Sequence, residues 1–310
     1  MSNIGFIFSG QGSQYIGMGK SIYENFEESK NVFNKADEIL GFSLTSLCFE
    51  GKKEELEKTE NTQPAILTTS FAIYKVLESR GIKPKVMAGL SLGEYSALVA
   101  SGALEFEKAI ALVRKRGRFM EEAVPSGTGS MAAIIGLEKE KIDKIVQECS
   151  EEGFIAISNL NCPKQIVLGG EKKAIQKACI VAREKGALRA LELSVSGPFH
   201  TPMLKGAAEN LELELNKIEF TDPIVPVITN VTGDYMEFSK IRETLKTQVM
   251  STVLWQKSIE KMLESGIDTF VEIGPGKVLS NFIKKINRKV NILNVEDTES
   301  LKTVLEKLKV

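Results

Sequence analysis

The sequence predicts an α/β protein: a parallel sheet covered by helices on both faces, with a second, ferredoxin-like unit inserted into it. Three observations carry this prediction. Short continuous apolar runs alternate with longer helical patterns at the start of the chain, as in strands buried on both faces. Over 126–197 the order changes to strand, helix, strand, strand, helix, strand, the order of a ferredoxin-like unit. Helices and short strands then resume to the end.

Taken in order, IGFIF reads as the first strand, followed by the Gly-rich turn SGQGSQ and a helix through about Leu40. A helical pattern over 63–80 leads to a short strand over 85–88 and a further helix from Leu92. In the inserted unit GSMAAIIGL, FIAISNL, KQIVLGG and LRALELSV read as strands. KEKIDKIVQECSEEG and EKKAIQKACIVAREKG supply its two helices. Its joints, VPSGTG and SGPFH, are rich in turn residues. The expected division is therefore a large core of 1–125 and 198–310, and a small subdomain of 126–197. The last part contributes short strands in PVITNV and TFVEIGPG.

Composition excludes several classes. With 310 residues, 43% hydrophobic, the chain has ample apolar surface for a core. Its 40 basic and 41 acidic residues produce no overall field toward nucleic acid. MSNIGFIFSGQ lacks the charged and apolar regions of a secretory signal, and no apolar run reaches about 18 residues, so no membrane span is expected. Cys48, Cys149, Cys162 and Cys179 form no CxxC pair, and one histidine excludes a His-rich metal site. Reduced, mostly buried thiols and a cytoplasmic setting are expected. Gly19-Lys20-Ser21 resembles the end of a phosphate-binding loop, but Gln14 stands where that loop needs glycine.

GLSLG at 89–93 fits G-x-S-x-G between an expected strand and an expected helix. In that setting the serine sits on a sharp turn with its hydroxyl exposed, and the following N–H groups favour a developing oxyanion. A Gly-flanked helix cap is the plainer alternative for Ser91. A serine nucleophile needs a base, and His200 is the only histidine present. Its setting, SGPFHTPM, is turn-rich and reads as an exposed loop rather than core. No acidic residue stands out as its partner, so a carbonyl is the alternative orienting group. About a third of the chain follows His200, which is the wrong order for an ordinary lipase or esterase.

In EFEKAIALVRKRGRFMEEAV, helical spacing puts Ala109, Leu112, Val113 and Met120 on one face. Arg116 falls in the middle of that face, while Arg114, Lys115 and Arg118 point away. A guanidinium among apolar groups needs an anion. It is either one partner of a structural salt bridge or a planar fork for a substrate carboxylate.

With GQGSQ, GLSLGE, RGRFM, GPFH and VEIGPG in this order, the chain resembles malonyl-CoA:acyl carrier protein transacylases from its first strand to about Phe282. The resemblance implies an α/β-hydrolase-like catalytic core beside the ferredoxin-like unit. It implies that Ser91 is acylated, that His200 is its base, and that the N–H groups of Gln11 and Leu92 form the oxyanion hole. Arg116 is then the anchor of the malonyl carboxylate, and Phe199 the residue that excludes branched acyl groups. Gln248, seven residues before Trp255, is implied as part of the segment whose backbone orients the histidine. The implied activity is ping-pong transfer of malonyl from malonyl-CoA to a holo acyl carrier protein for fatty acid biosynthesis. No cofactor, metal, nucleic acid or membrane is implied, and a monomer is expected. Two departures from the family pattern stand out: Leu90 replaces a usual histidine, and Thr252 a frequent proline. A serine thioesterase or esterase using the same pair is the rival reading; a non-catalytic carrier-protein docking module is a second.

Overall fold

The computed structural model describes residues 3–125, 127–193, 195 and 197–309. Five parallel strands form the larger sheet: β1 (Ile4–Phe8), β2 (Val86–Gly89), β7 (Val227–Ile228), β8 (Thr269–Ile273) and β9 (Asn291–Val295), in the order β7-β2-β1-β8-β9. β1 is central, pairing Phe8 with Gly89 on one side and with Ile273 on the other. Its run IGFIF is apolar throughout because both faces are covered. Phe6 and Phe8 pack into the core around helices Thr59–Ser79 and Phe106–Glu122, while Ile7 packs on the opposite face with Trp255, Ile259 and Phe282.

The smaller sheet is antiparallel: β3 (Gly129–Ile135), β4 (Ile155–Cys162), β5 (Gln165–Glu171) and β6 (Arg189–Glu192), in the order β4-β5-β3-β6. Helices Lys139–Cys149 and Lys172–Glu184 occupy the two crossovers. Period-2 alternation sorts its residues. Ala132, Ile134, Ile166 and Leu168 pack under those helices, whereas Met131 and Val167 join the main core. Ser126, at the expected start of the unit, lies outside the described residues.

Several expectations about element limits are revised. The first helical stretch is two helices, Lys20–Asn25 and Glu27–Leu40, separated by the extended residue Phe26. The next long helix starts at Thr59, ahead of the expected position 63, and carries Pro64 inside it. In PVITNV only Val227–Ile228 is strand; beyond it Gly233 donates to the Thr229 carbonyl in a turn and Asn230 is diverted to the site. β9 was not anticipated. All four cysteines are unpaired and buried.

Candidate active site

Ser91 stands between β2 and helix Leu92–Ala100 with φ 55° and ψ −107°, a backbone region that L-residues avoid. The flanking glycines make the turn possible by close approach. A Cβ at Gly89 would lie 1.9 Å from the Gly93 carbonyl, and one at Gly93 would lie 2.2 Å from the Phe8 carbonyl oxygen. Asn230 clamps the turn: its Oδ1 accepts from the Ser91 N–H at 2.6 Å, and its Nδ2 donates to the Gly89 carbonyl at 2.7 Å. The Ser91 N–H is therefore engaged. Leu92 begins the helix, where the first N–H groups have no intrahelical acceptor.

The Ser91 hydroxyl lies 2.7 Å from His200 Nε2, and His200 Nδ1 lies 2.8 Å from the Gln248 carbonyl oxygen. A carbonyl only accepts, so Nδ1 carries the proton and Nε2 is left to accept from Ser91. This arrangement needs no acidic third member. The expected exposed setting of His200 is corrected: it is 4% exposed. Phe199 and Leu204 anchor its loop in the main core, and the His200 N–H donates to the Val249 carbonyl. Burial, then the positive field of Arg116, lowers the His200 pKa to about 4. The ring is neutral at physiological pH and competent as a base.

Arg116 is on the buried face of its helix and 1% exposed. Its Nη1 donates to Gln63 Oε1 at 2.8 Å, and Nη2 donates to Gln248 Oε1 at 3.0 Å and to the Ser91 hydroxyl oxygen at 3.3 Å. Its Nε has no hydrogen-bond partner among the described residues, and the guanidinium lies over the Tyr95 ring. The salt-bridge alternative finds no support, since no carboxylate lies within ion-pair distance among the described residues. The neighbouring cations behave as expected of a solvated face: Lys115 pairs with Glu214, Arg118 with Glu122, and Arg114 covers Phe42.

Gln248 connects these groups. Besides its carbonyl on His200 and its Oε1 on Arg116, its Nε2 donates to the Ser91 carbonyl at 3.0 Å and to Glu94 Oε2 at 2.9 Å. Gln63, Glu94 and Asn230 were missed by sequence reasoning. Glu94 alone had a local signal, as the residue that extends GLSLG to GLSLGE.

Above Ser91 opens a cleft of about 280 Å³ between the two sheets. Gln11 and Leu90 line it from the large sheet's side, Asn159, Asn161 and Val167 from the small sheet, and Phe199 from the loop. Thus the cluster unites Ser91, His200, Arg116 and Gln248, while Gln11 and Phe199 border the same space. Thr252, at the second family departure, donates its hydroxyl to the Ile157 carbonyl of β4 at 2.7 Å. Next to it, Val253 exchanges backbone hydrogen bonds with Ser158 and Leu160. These bonds join the segment after Gln248 to the small sheet. Among the described residues no group of side chains could hold a metal ion.

Such a cluster, a strained serine with a carbonyl-held histidine and a buried guanidinium, supports acyl transfer through a serine ester. The comparisons with known proteins point to acyl transfer as well. The chain is 50% identical to a malonyl CoA-acyl carrier protein transacylase of Bacillus subtilis (strain 168), covering 100% of this chain and 98% of the relative. It matches the crystal structure of a malonyl CoA-acyl carrier protein transacylase from Clostridium perfringens with a TM-score of 0.96 at 50% identity, over 99% and 98% of the two chains. A solved complex of a type II PKS acyl-carrier protein with its malonyl-transacylase matches with a TM-score of 0.96 at 42% identity, over 99% and 100%. The acyl transferase domain family matches residues 5–305, and the chain belongs to that family.

Proposed function

We propose that the protein transfers a malonyl group from malonyl-CoA to the phosphopantetheine thiol of an acyl carrier protein, by way of a Ser91 ester, in support of fatty acid synthesis. The observation that carries this reading is the buried Arg116 fork, 3.3 Å from the Ser91 hydroxyl with an unpaired Nε. A hydrolase of unsubstituted esters has no use for a cation there. A three-carbon diacid esterified on Ser91 brings its free carboxylate to that fork.

In this mechanism His200 Nε2 takes the Ser91 proton as Oγ attacks the thioester carbonyl. The carbonyl oxygen becomes an oxyanion held by the N–H groups of Gln11 and Leu92. The tetrahedral intermediate collapses, the C–S bond breaks, and His200 returns the proton to the departing thiolate of coenzyme A. The carrier thiol then attacks the ester with the same proton traffic reversed. Removal of one oxyanion donor typically costs about 2.7–4 kcal/mol in such sites. Arg116 lowers the His200 pKa, so a malonyl carboxylate on Arg116 offsets that field and strengthens the base. The anchor thereby favours malonyl in the chemical step as well as in binding. Phe199, buried beside the cleft, leaves little room for a branch at the malonyl carbon.

Residues 126–197 form, in this reading, a small subdomain that closes the cleft over the acyl chain, and 1–125 with 198–310 form the catalytic core. The enzyme works as a cytoplasmic monomer without a cofactor. The test is intact mass after brief exposure to malonyl-CoA, for wild type and Ser91→Ala. A malonyl-sized increase in wild type alone, discharged by holo carrier protein, supports the transferase. Loss of the adduct equally fast to water supports a thioesterase instead, and no adduct at all supports a docking module.

A further inference from the structure

Glu94 is a buried ionisable group that the mechanism leaves unused. Glu94 lies in the first turn of the helix that follows Ser91 and is 0% exposed. Acidic side chains are almost never fully buried without a paired charge. Its Oε2 accepts from the Asn230 N–H at 2.8 Å and from Gln248 Nε2 at 2.9 Å, while Oε1 has no hydrogen-bond partner among the described residues. Both donors belong to residues that build the site. Asn230 clamps the serine turn, and Gln248 holds His200 through its carbonyl and Arg116 through Oε1. One amide side chain therefore separates the carboxylate from the guanidinium.

In the absence of substrate, Arg116 is a buried cation whose direct partners are all neutral. A buried charge needs compensation; besides the Tyr95 hydroxyl, Glu94 is the carboxylate whose field acts on it. The groups facing Glu94 come from several elements: Tyr95 on its own helix, the Thr229 hydroxyl and Asn230 after β7, Gln248 on helix Ile241–Met250, and Arg116. Arg116 is the charged one among them.

We propose that Glu94 is a positioning and specificity residue: it balances Arg116 in the empty site, and takes up a proton from solvent when the malonyl carboxylate arrives. Two carboxylates around one guanidinium leave one negative charge too many in a buried space, and protonating the unpaired Oε1 removes it. Burial raises the Glu94 pKa to about 7, against smaller opposing effects from its donors and Arg116. The proton therefore binds at little expense near neutral pH. The proposal rests on Arg116 as the malonyl anchor.

The experiment compares kcat/KM for malonyl-CoA with kcat/KM for acetyl-CoA in the wild-type enzyme between about pH 6 and about pH 8. The ionisation of His200 in the free enzyme is common to both substrates and cancels in the ratio. The malonyl-to-acetyl ratio is expected to fall roughly fivefold as pH rises and Glu94 becomes an anion, since a nearby like charge disfavours carboxylate binding. In Glu94→Gln the ratio should be higher at neutral pH and flat across this range. Its kcat should drop a few-fold for both substrates, because a neutral acceptor holds Gln248 less firmly. A flat wild-type ratio overturns the proposal without needing any variant to fold, as does an unchanged slope in Glu94→Gln. Arg116→Ala separates the two ideas. Selective loss of malonyl transfer alongside a flat wild-type ratio removes the role of Glu94 alone, whereas equal loss of both transfers removes the anchor and the proposal with it.

Discussion

The two sheets bury very different interiors. Beneath the antiparallel sheet the core is Ile, Leu, Val, Ala and Cys packed under two helices. Beyond the C-terminal end of β2 in the parallel sheet the interior holds Ser91, Glu94, Arg116, His200, Asn230 and Gln248, each under 9% exposed. Most of their hydrogen-bonding atoms are matched, and the Arg116 Nε and Glu94 Oε1 atoms are not. One region is built for stability. The other holds buried polar groups that a stable core would avoid. The small sheet still belongs to the site, because β4 and β5 form the far wall of the cleft.

Substitutions can break this contrast in graded steps. The largest expected effect is Ser91→Ala, with a loss of about 10⁴-fold or more in transfer and no acyl adduct by intact mass. Arg116→Ala comes next: malonyl transfer should fall by roughly 10²–10³-fold and acetyl transfer by far less, measured as kcat/KM for each. In the same variant the acid limb of the acetyl profile should move up from about 4 toward the ordinary histidine value of 6.5. Its direction follows from sign: the positive charge opposes protonation of His200, and its removal eases it. Leu168→Ala, in the apolar core of the small sheet, should destabilise by about 2–5 kcal/mol, read by denaturant unfolding. The kcat of its folded fraction should stay within roughly twofold. Smallest is Thr252→Val, which leaves the Ile157 carbonyl without its donor. About 1 kcal/mol of stability should be lost, with a two- to threefold fall in kcat as the segment after Gln248 loosens from β4.

Local patterns made much of this readable. The glycines around Ser91, the single histidine, and one arginine out of phase with its helix's charged face all lie within short windows of sequence. The small unit was equally visible, because its order of strand, helix, strand, strand, helix, strand is read from consecutive segments. What stayed hidden depends on chain distance. Gln63 meets Arg116 across 53 residues and Asn230 meets the serine turn across 139. Neither residue type marks such a partnership. The burial of His200 escaped notice because Gly197 and Pro198 signal a turn but do not say whether that turn faces water. β9, NILNV, is too short and too polar at its asparagines to stand apart from the loops around it. Thr252 stands where the family frequently has proline, and its hydroxyl forms a tie that proline has no atom to make.

Ser91 and His200 are two of the four non-glycine residues with positive φ among the described residues. Such backbones typically cost about 1–3 kcal/mol each. An effort to raise the heat tolerance of this protein by placing glycine wherever the backbone is strained would therefore reach the proposed nucleophile and the proposed base. On the proposed mechanism, thermal selection applied without an activity screen would erode the enzyme by removing the pair that carries its chemistry.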